Sequence, residues 1–197
     1  TQVQLRKAKA RFSKINHIFI SHLHGDHCFG LPGLIASFRL LGRETPLHIY
    51  APKGIKEMLE TIFRITETHK GFELIYHELE SKKSVRIFED NRLEVFTIPL
   101  NHRIYCNGYL FREKPKERHL NMQEISKYPE IETCDYHNLK LGKDFVLSDG
   151  YVLKNDVLTT EPSKSVSYAF CSDTRYLESI LPIIENVDVL YHEATFL

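Results

Sequence analysis

The chain has 197 residues, 42% hydrophobic and 26% charged, with 26 basic side chains against 26 acidic ones and a formal net charge of zero. This is globular composition at the size of one ordinary domain, residues 1–197. It excludes a basic field over the whole protein, so any nucleic-acid contact must come from local patches, and no apolar run approaches a membrane span.

Residues 1–11 predict a basic amphipathic helix, with Lys7, Lys9 and Arg11 exposed and Val3, Leu5 and Ala8 inward. Residues 16–21 are short, apolar and β-branched, and read as a buried strand. Gly25 and the Gly30-Leu31-Pro32-Gly33 cluster then break the chain before a helix over 34–41, with Leu34, Ile35, Phe38 and Leu41 on one face. A strand follows at 46–51. The clearest helix covers 53–67, where Ile55, Met58, Leu59, Ile62 and Ile65 recur at helical spacing. Three strands follow at 73–79, 84–89 and 92–100, the last with both faces partly buried.

Residues 112–164 differ in character. Arg112 to Arg118 is a charge run, and Tyr128-Pro129 interrupts any helix over 121–127. A solvated loop and a protruding arm that touches substrate both account for this segment. Order is expected again at 165–171, a buried strand ending at Ser172-Asp173-Thr174, then a helix over 176–184 and a strand over 187–191. Strands alternate with helices early and run consecutively later, which predicts a layered α/β architecture with a mixed sheet.

The chemistry is concentrated in His22-Leu23-His24-Gly25-Asp26-His27, an H-x-H-x-D-H pattern of three imidazoles and one carboxylate. These are the ligand types of a catalytic metal site, whereas structural sites favour Cys at C-x-x-C spacing, which is absent. In extended backbone His22 and His24 point the same way and can share one ion. The turn at Gly25 sends Asp26 and His27 in another direction, which suits a second ion nearby. One loop does not close two metal shells, so further ligands belong at other strand ends. His102 follows the strand at 92–100 and Asp173 follows that at 165–171; either is otherwise a strand-end loop residue. Asp173, with two oxygens, could bridge two cations.

Cys28, Cys106, Cys134 and Cys171 have no framework spacing and read as reduced thiols of a cytoplasmic protein. Cys28 reads as a small loop hydrophobe rather than a ligand. His17, His48, His69, His77, His119 and His137 lack a partner pattern and read as surface or core residues.

Residues 19–34, Phe-Ile-Ser-His-Leu-His-Gly-Asp-His-Cys-Phe-Gly-Leu-Pro-Gly-Leu, resemble the metallo-β-lactamase superfamily and, through Gly30-Leu31-Pro32-Gly33, the ribonuclease Z family within it. Cys171-Ser172-Asp173-Thr174-Arg175 resembles the later metal motif, with Ser172 where Gly is usual. His192-Glu193-Ala194-Thr195-Phe196 resembles the family's His-Glu-Ala-Thr signature. The resemblance implies an αββα sandwich, incomplete at its N- and C-termini. It implies two Zn²⁺, His22, His24 and His102 holding the first, Asp26 and His27 the second, and Asp173 bridging. Asp26 would also accept the proton of the attacking water, and His192 with Glu193 would orient a catalytic group. The implied activity is endonucleolytic removal of 3′ trailers from precursor tRNA by a homodimer, with residues 112–140 in the place of the tRNA-gripping arm.

The chain opens on Thr1 rather than Met and stops at Leu197 soon after a strand. Both are expected to be cut edges, leaving the second zinc short of ligands and the fragment impaired. Two other readings stay open: another hydrolase of this fold, such as a small-molecule phosphodiesterase, arylsulfatase, thioesterase or β-lactamase, and a non-catalytic zinc- or RNA-binding fragment.

Overall fold

The computed structural model describes residues 1–69 and 71–194. It divides into one compact unit of Thr1–Phe88, Val95–Phe111 and the chain from Ser167 onward, and a second of Glu89–Glu94 and Arg112–Val166.

In the first unit, helix α1 (Gln2–Lys7) precedes strand β1 (His17–Phe19), the short helix α2 (Gly25–Cys28) and helix α3 (Gly30–Leu40). Strand β2 (Leu47–Pro52), helix α4 (Ile55–Ile65) and strand β3 (Leu74–Leu79) follow. β1, β2 and β3 form a three-stranded parallel sheet, with His17 opposite His48 and Tyr50 opposite His77. Strand alternation divides β2. Leu47, Ile49 and Ala51 pack with Leu34, Ile35 and Phe38 of α3 and with Ile55, Leu59 and Phe63 of α4. His48 and Tyr50 belong to the other face, where Phe19 meets Tyr109 at 5.3 Å and Phe111 at 5.2 Å between ring centroids.

That second layer is a five-stranded sheet. It contains β4 (Arg86–Glu89), β5 (Leu93–Pro99) and β6 (Asn107–Glu113), and, late in the chain, β11 (Ser167–Cys171) and β12 (Val189–His192), in the order β12-β11-β6-β5-β4. β11 and β12 are parallel. Its outer face carries Ile98, Leu110, Ala169 and Cys171 against Ile180, Ile183 and Ile184 of a 3₁₀ turn (Glu178–Ile180) and helix α8 (Leu181–Ile184). The layers are therefore helix, sheet, sheet, helix.

Several local expectations are corrected. α1 is only six residues long; Val3 is 64% exposed, and Lys9 leaves the helix at φ 54°. A helix this short has little propensity stability of its own, and Leu5 is its contribution to the core. The Gly30–Gly33 cluster does not break the chain but opens α3, and its glycines allow the N-terminus close: a Cβ on Gly30 would lie 2.0 Å from the Thr1 hydroxyl and one on Gly33 2.8 Å from the Gln2 side-chain amide nitrogen. The buried stripe of α4 is Ile55, Leu59 and Phe63, a strict i, i+4, i+8 row, which leaves Ile65 70% exposed. The helix expected over 176–184 is two short turns. β6 was not anticipated; Gly108 within it is needed because a Cβ there would lie 2.4 Å from the Phe170 carbonyl oxygen of β11.

The second unit contains β7 (His119–Leu120), α5 (Met122–Ile125), α6 (Tyr136–Lys140), β8 (Phe145–Val146), β9 (Val152–Leu153), α7 (Asn155–Leu158) and β10 (Thr159–Thr160). It is not a bare solvated loop. Ile125, Ile131, Leu139, Leu153 and Leu158 form a core of its own. Buried Asn155 donates to the carbonyls of Leu139 and Lys143, both at 2.8 Å, and accepts from the Thr159 hydroxyl at 2.7 Å. Its cations are mostly spoken for: Lys114 pairs with Glu89, Lys116 with Glu113, Lys127 with Glu124, and Arg118 with Asp156 and Glu161.

Candidate metal centre

The H-x-H-x-D-H loop leaves β1 from a fixed base. The Ile20 amide donates to the Tyr50 carbonyl at 2.8 Å, the Tyr109 hydroxyl donates to the Ile20 carbonyl at 2.6 Å, and the Asn107 amide donates to the Ser21 carbonyl at 3.0 Å. His22 is fully buried above this base. His24 is still extended (φ −69°, ψ 147°), and α2 begins at the next residue, so Asp26 and His27 project from a helical turn. A Cβ on Gly25 would lie 2.4 Å from the Phe29 ring. Cys28 is buried with its Sγ 3.9 Å from Met58 Sδ, and burial pushes its thiol pKa up.

The loops after β5 and β11 are tied together where they bring the remaining ligands. The Asn101 amide donates to the Thr174 hydroxyl at 3.0 Å, and the Arg175 amide donates to the Asn101 carbonyl at 2.8 Å. The result is a group in which one ligand atom each from His22, His24, His102 and Asp173 lies within 4.8 Å of the others. Nδ1 of His24 and Nε2 of His102 are 3.2 Å apart. Two nitrogens bound at 2.0–2.1 Å to a tetrahedral ion are separated by about 3.3 Å, so this spacing fits two corners of one coordination shell. Nε2 of His22 is buried and has no hydrogen-bond partner. An orphaned lone pair in the interior is costly unless a cation completes it. The donor set therefore fits a metal ion.

Asp173 divides its carboxylate. One oxygen is 3.7 Å from Nε2 of His22 and the other 3.5 Å from Nε2 of His27. His27 in turn lies 3.3 Å from Asp26, whose side chain is 78% exposed. Burial, and next the neighbouring His27, hold the His22 imidazole down to about 4. At neutral pH it is the neutral base that a metal needs.

His192 and Glu193 are placed differently. His192 is exposed at the end of β12, and its Nδ1 is 2.6 Å from the Glu193 carbonyl oxygen. Glu193 lines a cavity of about 410 Å³ with His102, Arg103, Asp173, Thr174 and Arg175. Thr195 and Phe196 of the same signature lie outside the described residues. Sequence reasoning missed Arg103, whose Nε donates to Nε2 of His24 at 3.1 Å; its only signal was adjacency to His102. It also missed that His17, His48 and His77 meet between the sheets. His48 Nδ1 is 3.0 Å from His77 Nε2, and the His17 and His48 rings stack at 4.8 Å.

Two sheets packed face to face between outer helices, with histidine and aspartate side chains gathered at strand ends, define an αββα sandwich with a candidate metal centre. The model of the β-lactamase superfamily domain matches residues 1–120, and the chain belongs to that superfamily. Among curated proteins it is 43% identical over 195 residues to ribonuclease Z of Bacteroides thetaiotaomicron, covering 99% of this chain and 61% of that protein. To ribonuclease Z of Parabacteroides distasonis it is 45% identical over 196 residues, covering 100% of this chain and 64% of that protein. The chain thus spans a little over three fifths of the length of these relatives. In fold it is similar to human tRNase Z, short form, with TM-score 0.65 and 24% identity over 99% of this chain and 63% of that one. The metallo-β-lactamase fold protein YhfI of Bacillus subtilis matches with TM-score 0.50 and 15% identity over 95% of this chain and 53% of that one. No helix among the described residues is long and apolar enough to cross a membrane.

Proposed function

We propose that this chain carries the metal centre of a zinc-dependent endoribonuclease that removes 3′ trailers from precursor tRNA. The observation that carries the reading is the convergence of His22, His24, His102 and Asp173 in a chain 43–45% identical, along nearly all its length, to proteins named ribonuclease Z. His22, His24 and His102 would hold the first zinc, and Asp26 and His27 the second. Asp173 would serve both; its two oxygens, one toward His22 and one toward His27, support that assignment.

Bound zinc supplies Lewis acidity and lowers the pKa of coordinated water. The side chains do the rest. Asp26, the most solvent-accessible carboxylate of the group, accepts the proton of the attacking water. Arg103 and Arg175 place two cations on the cavity wall, where a phosphodiester enters beside Asp173. Glu193, on the same wall, with His192 held against its backbone carbonyl, orients a catalytic group. Residues 112–164 form an inserted arm that contacts folded RNA by shape and phosphate. The working form is a cytoplasmic homodimer.

The test uses the full-length protein with a precursor tRNA bearing a 3′ trailer and, in parallel, bis-p-nitrophenyl phosphate. Cleavage of the RNA just after the discriminator nucleotide, leaving a 3′-hydroxyl, is expected. Hydrolysis of the small diester with the RNA left intact would replace this reading with that of a small-molecule phosphodiesterase.

A further inference from the structure

Ser21 and Ser172, both buried, join the candidate ligands His22 and Asp173 in a chain whose hydrogen-bond directions can be deduced. Ser21 Oγ is 3.0 Å from Nδ1 of His22. Ser21 Oγ is also 3.1 Å from Ser172 Oγ, which is 3.4 Å from Oδ1 of Asp173. Ser21, His22 and Ser172 are all at least 96% buried, so no bulk water competes for these contacts.

The directions follow from proton inventory. An ionised carboxylate only accepts, so the single Ser172 proton goes to Asp173. Ser172 must then accept from Ser21, which uses the single Ser21 proton. Ser21 has nothing left to donate to His22 and can only accept from it. Nδ1 of His22 therefore carries its proton, and Nε2 presents a bare lone pair. A second contact is consistent with this order. Cys106 Sγ donates to the backbone carbonyl of Asp173 at 3.5 Å, so at 3.7 Å from Nδ1 of His22 it too meets that nitrogen as an acceptor. Nε2 is the nitrogen with no hydrogen-bond partner, as a lone pair directed into an ion site must be.

We infer that Ser172 and Ser21 are positioning residues: they connect the carboxylate of Asp173 to the ring of His22 and lock His22 in the Nδ1–H tautomer that exposes Nε2 to the metal. The inference rests on the proposed metal site for its purpose, but not for its geometry. One device sets two ligands together, because the proton order that frees Nε2 of His22 also orients Oδ1 of Asp173 toward Ser172 and leaves Oδ2 facing His22. Removal of the Ser172 hydroxyl frees the Ser21 proton to turn onto Nδ1, which favours the wrong tautomer. Groups that orient metal ligands in this way commonly change metal affinity by about 10–100-fold when removed.

The test has two arms. Long-range ¹H–¹⁵N correlation spectra of ¹⁵N-histidine-labelled, metal-free protein at pH 7.5 read the His22 tautomer directly. The Nδ1–H form is expected in the unaltered chain and a shift toward Nε2–H in Ser172→Ala. Zinc affinity, measured by competition with a chromophoric chelator, is expected to fall about 10-fold or more in Ser172→Ala and to recover in Ser172→Thr, which restores a hydroxyl. An Nε2–H ring in the unaltered protein overturns the inference. So does a Ser172→Ala protein with unchanged tautomer and zinc affinity within twofold. If the unaltered chain shows the Nδ1–H ring but binds no zinc, the metal reading fails while the assignment of the serine chain stands.

Discussion

Nδ1 of His24 and Nε2 of His102 stand 3.2 Å apart, the spacing of two corners of a tetrahedral zinc shell, although 78 residues separate them in sequence. The loop that carries His102 is cross-tied to the loop that carries Asp173, so His102 is held in place by the fold. His102→Ala should therefore lower zinc affinity by at least about 100-fold with little change in thermal stability of the metal-free protein, since the side chain is half-exposed. Isothermal titration with zinc and a parallel melting curve check both halves.

The two candidate ion positions are unequal. The first is served by three imidazoles and a carboxylate oxygen. The second has His27, the other oxygen of Asp173 and an Asp26 that is 78% exposed. After exhaustive dialysis, native mass spectrometry of this chain should find close to one zinc retained, with a second added only at higher free zinc. Two zincs surviving dialysis would contradict that ranking.

Arg103 occupies the far nitrogen of His24. Its Nε–H can donate to Nε2 of His24 only while that nitrogen is unprotonated, which places the ring proton on Nδ1, facing His102. Metal binding through Nδ1 moves the proton to Nε2 and sets two donors against each other, so Arg103 must swing away. Arg103→Gln should bind zinc several-fold more tightly than the parent chain, yet should weaken binding of a non-cleavable phosphodiester. Equal zinc affinities would show that the contact imposes no cost.

Acid should destabilise the metal-free chain early. The His22 value in the folded protein, about 4, lies below the unfolded value of about 6.5, and burial also lowers His77. Between these values the unfolded chain binds the extra proton, so stability is fully present above pH 6.5 and is lost as pH falls toward 4. His22 alone accounts for up to about 3 kcal/mol of that loss. Urea midpoints at pH 7.5, 6.0 and 5.0 measure it; His22→Ala should flatten the curve.

If residues 112–164 grip RNA, their cations must leave carboxylates to do so. Lys116 and Lys127 are paired with Glu113 and Glu124 at 2.8 and 2.7 Å. Converting both lysines to glutamine should weaken precursor-tRNA binding at low salt and reduce the slope of log affinity against log salt by up to about 2. A slope identical to the parent would remove this segment from the interface.

What the sequence discloses and what it conceals divide along contact range. The loop His22 to His27 is legible because its ligands are neighbours, and α4 is legible because Ile55 and Leu59 repeat at the helical period. β6 escapes because Asn107-Gly108 looks like a turn; the need for glycine there comes from Phe170, far along the chain. The core of the second unit escapes for a related reason. Ile125, Ile131, Leu139, Leu153 and Leu158 sit on separate short elements and show no period. The contact of His48 with His77 is of the same kind, visible only when the parallel register of β2 and β3 is known.

Tyr50, Asn107 and Tyr109 clamp the backbone at Ile20 and Ser21, just before the first ligand, through hydrogen bonds made by protein groups alone. Part of the entropy of ordering this loop is thus met by folding itself. A stiff, nitrogen-rich cup of this kind screens ions by coordination preference: calcium, which needs six to eight oxygens at 2.3–2.6 Å, finds neither the donors nor the freedom to gather them.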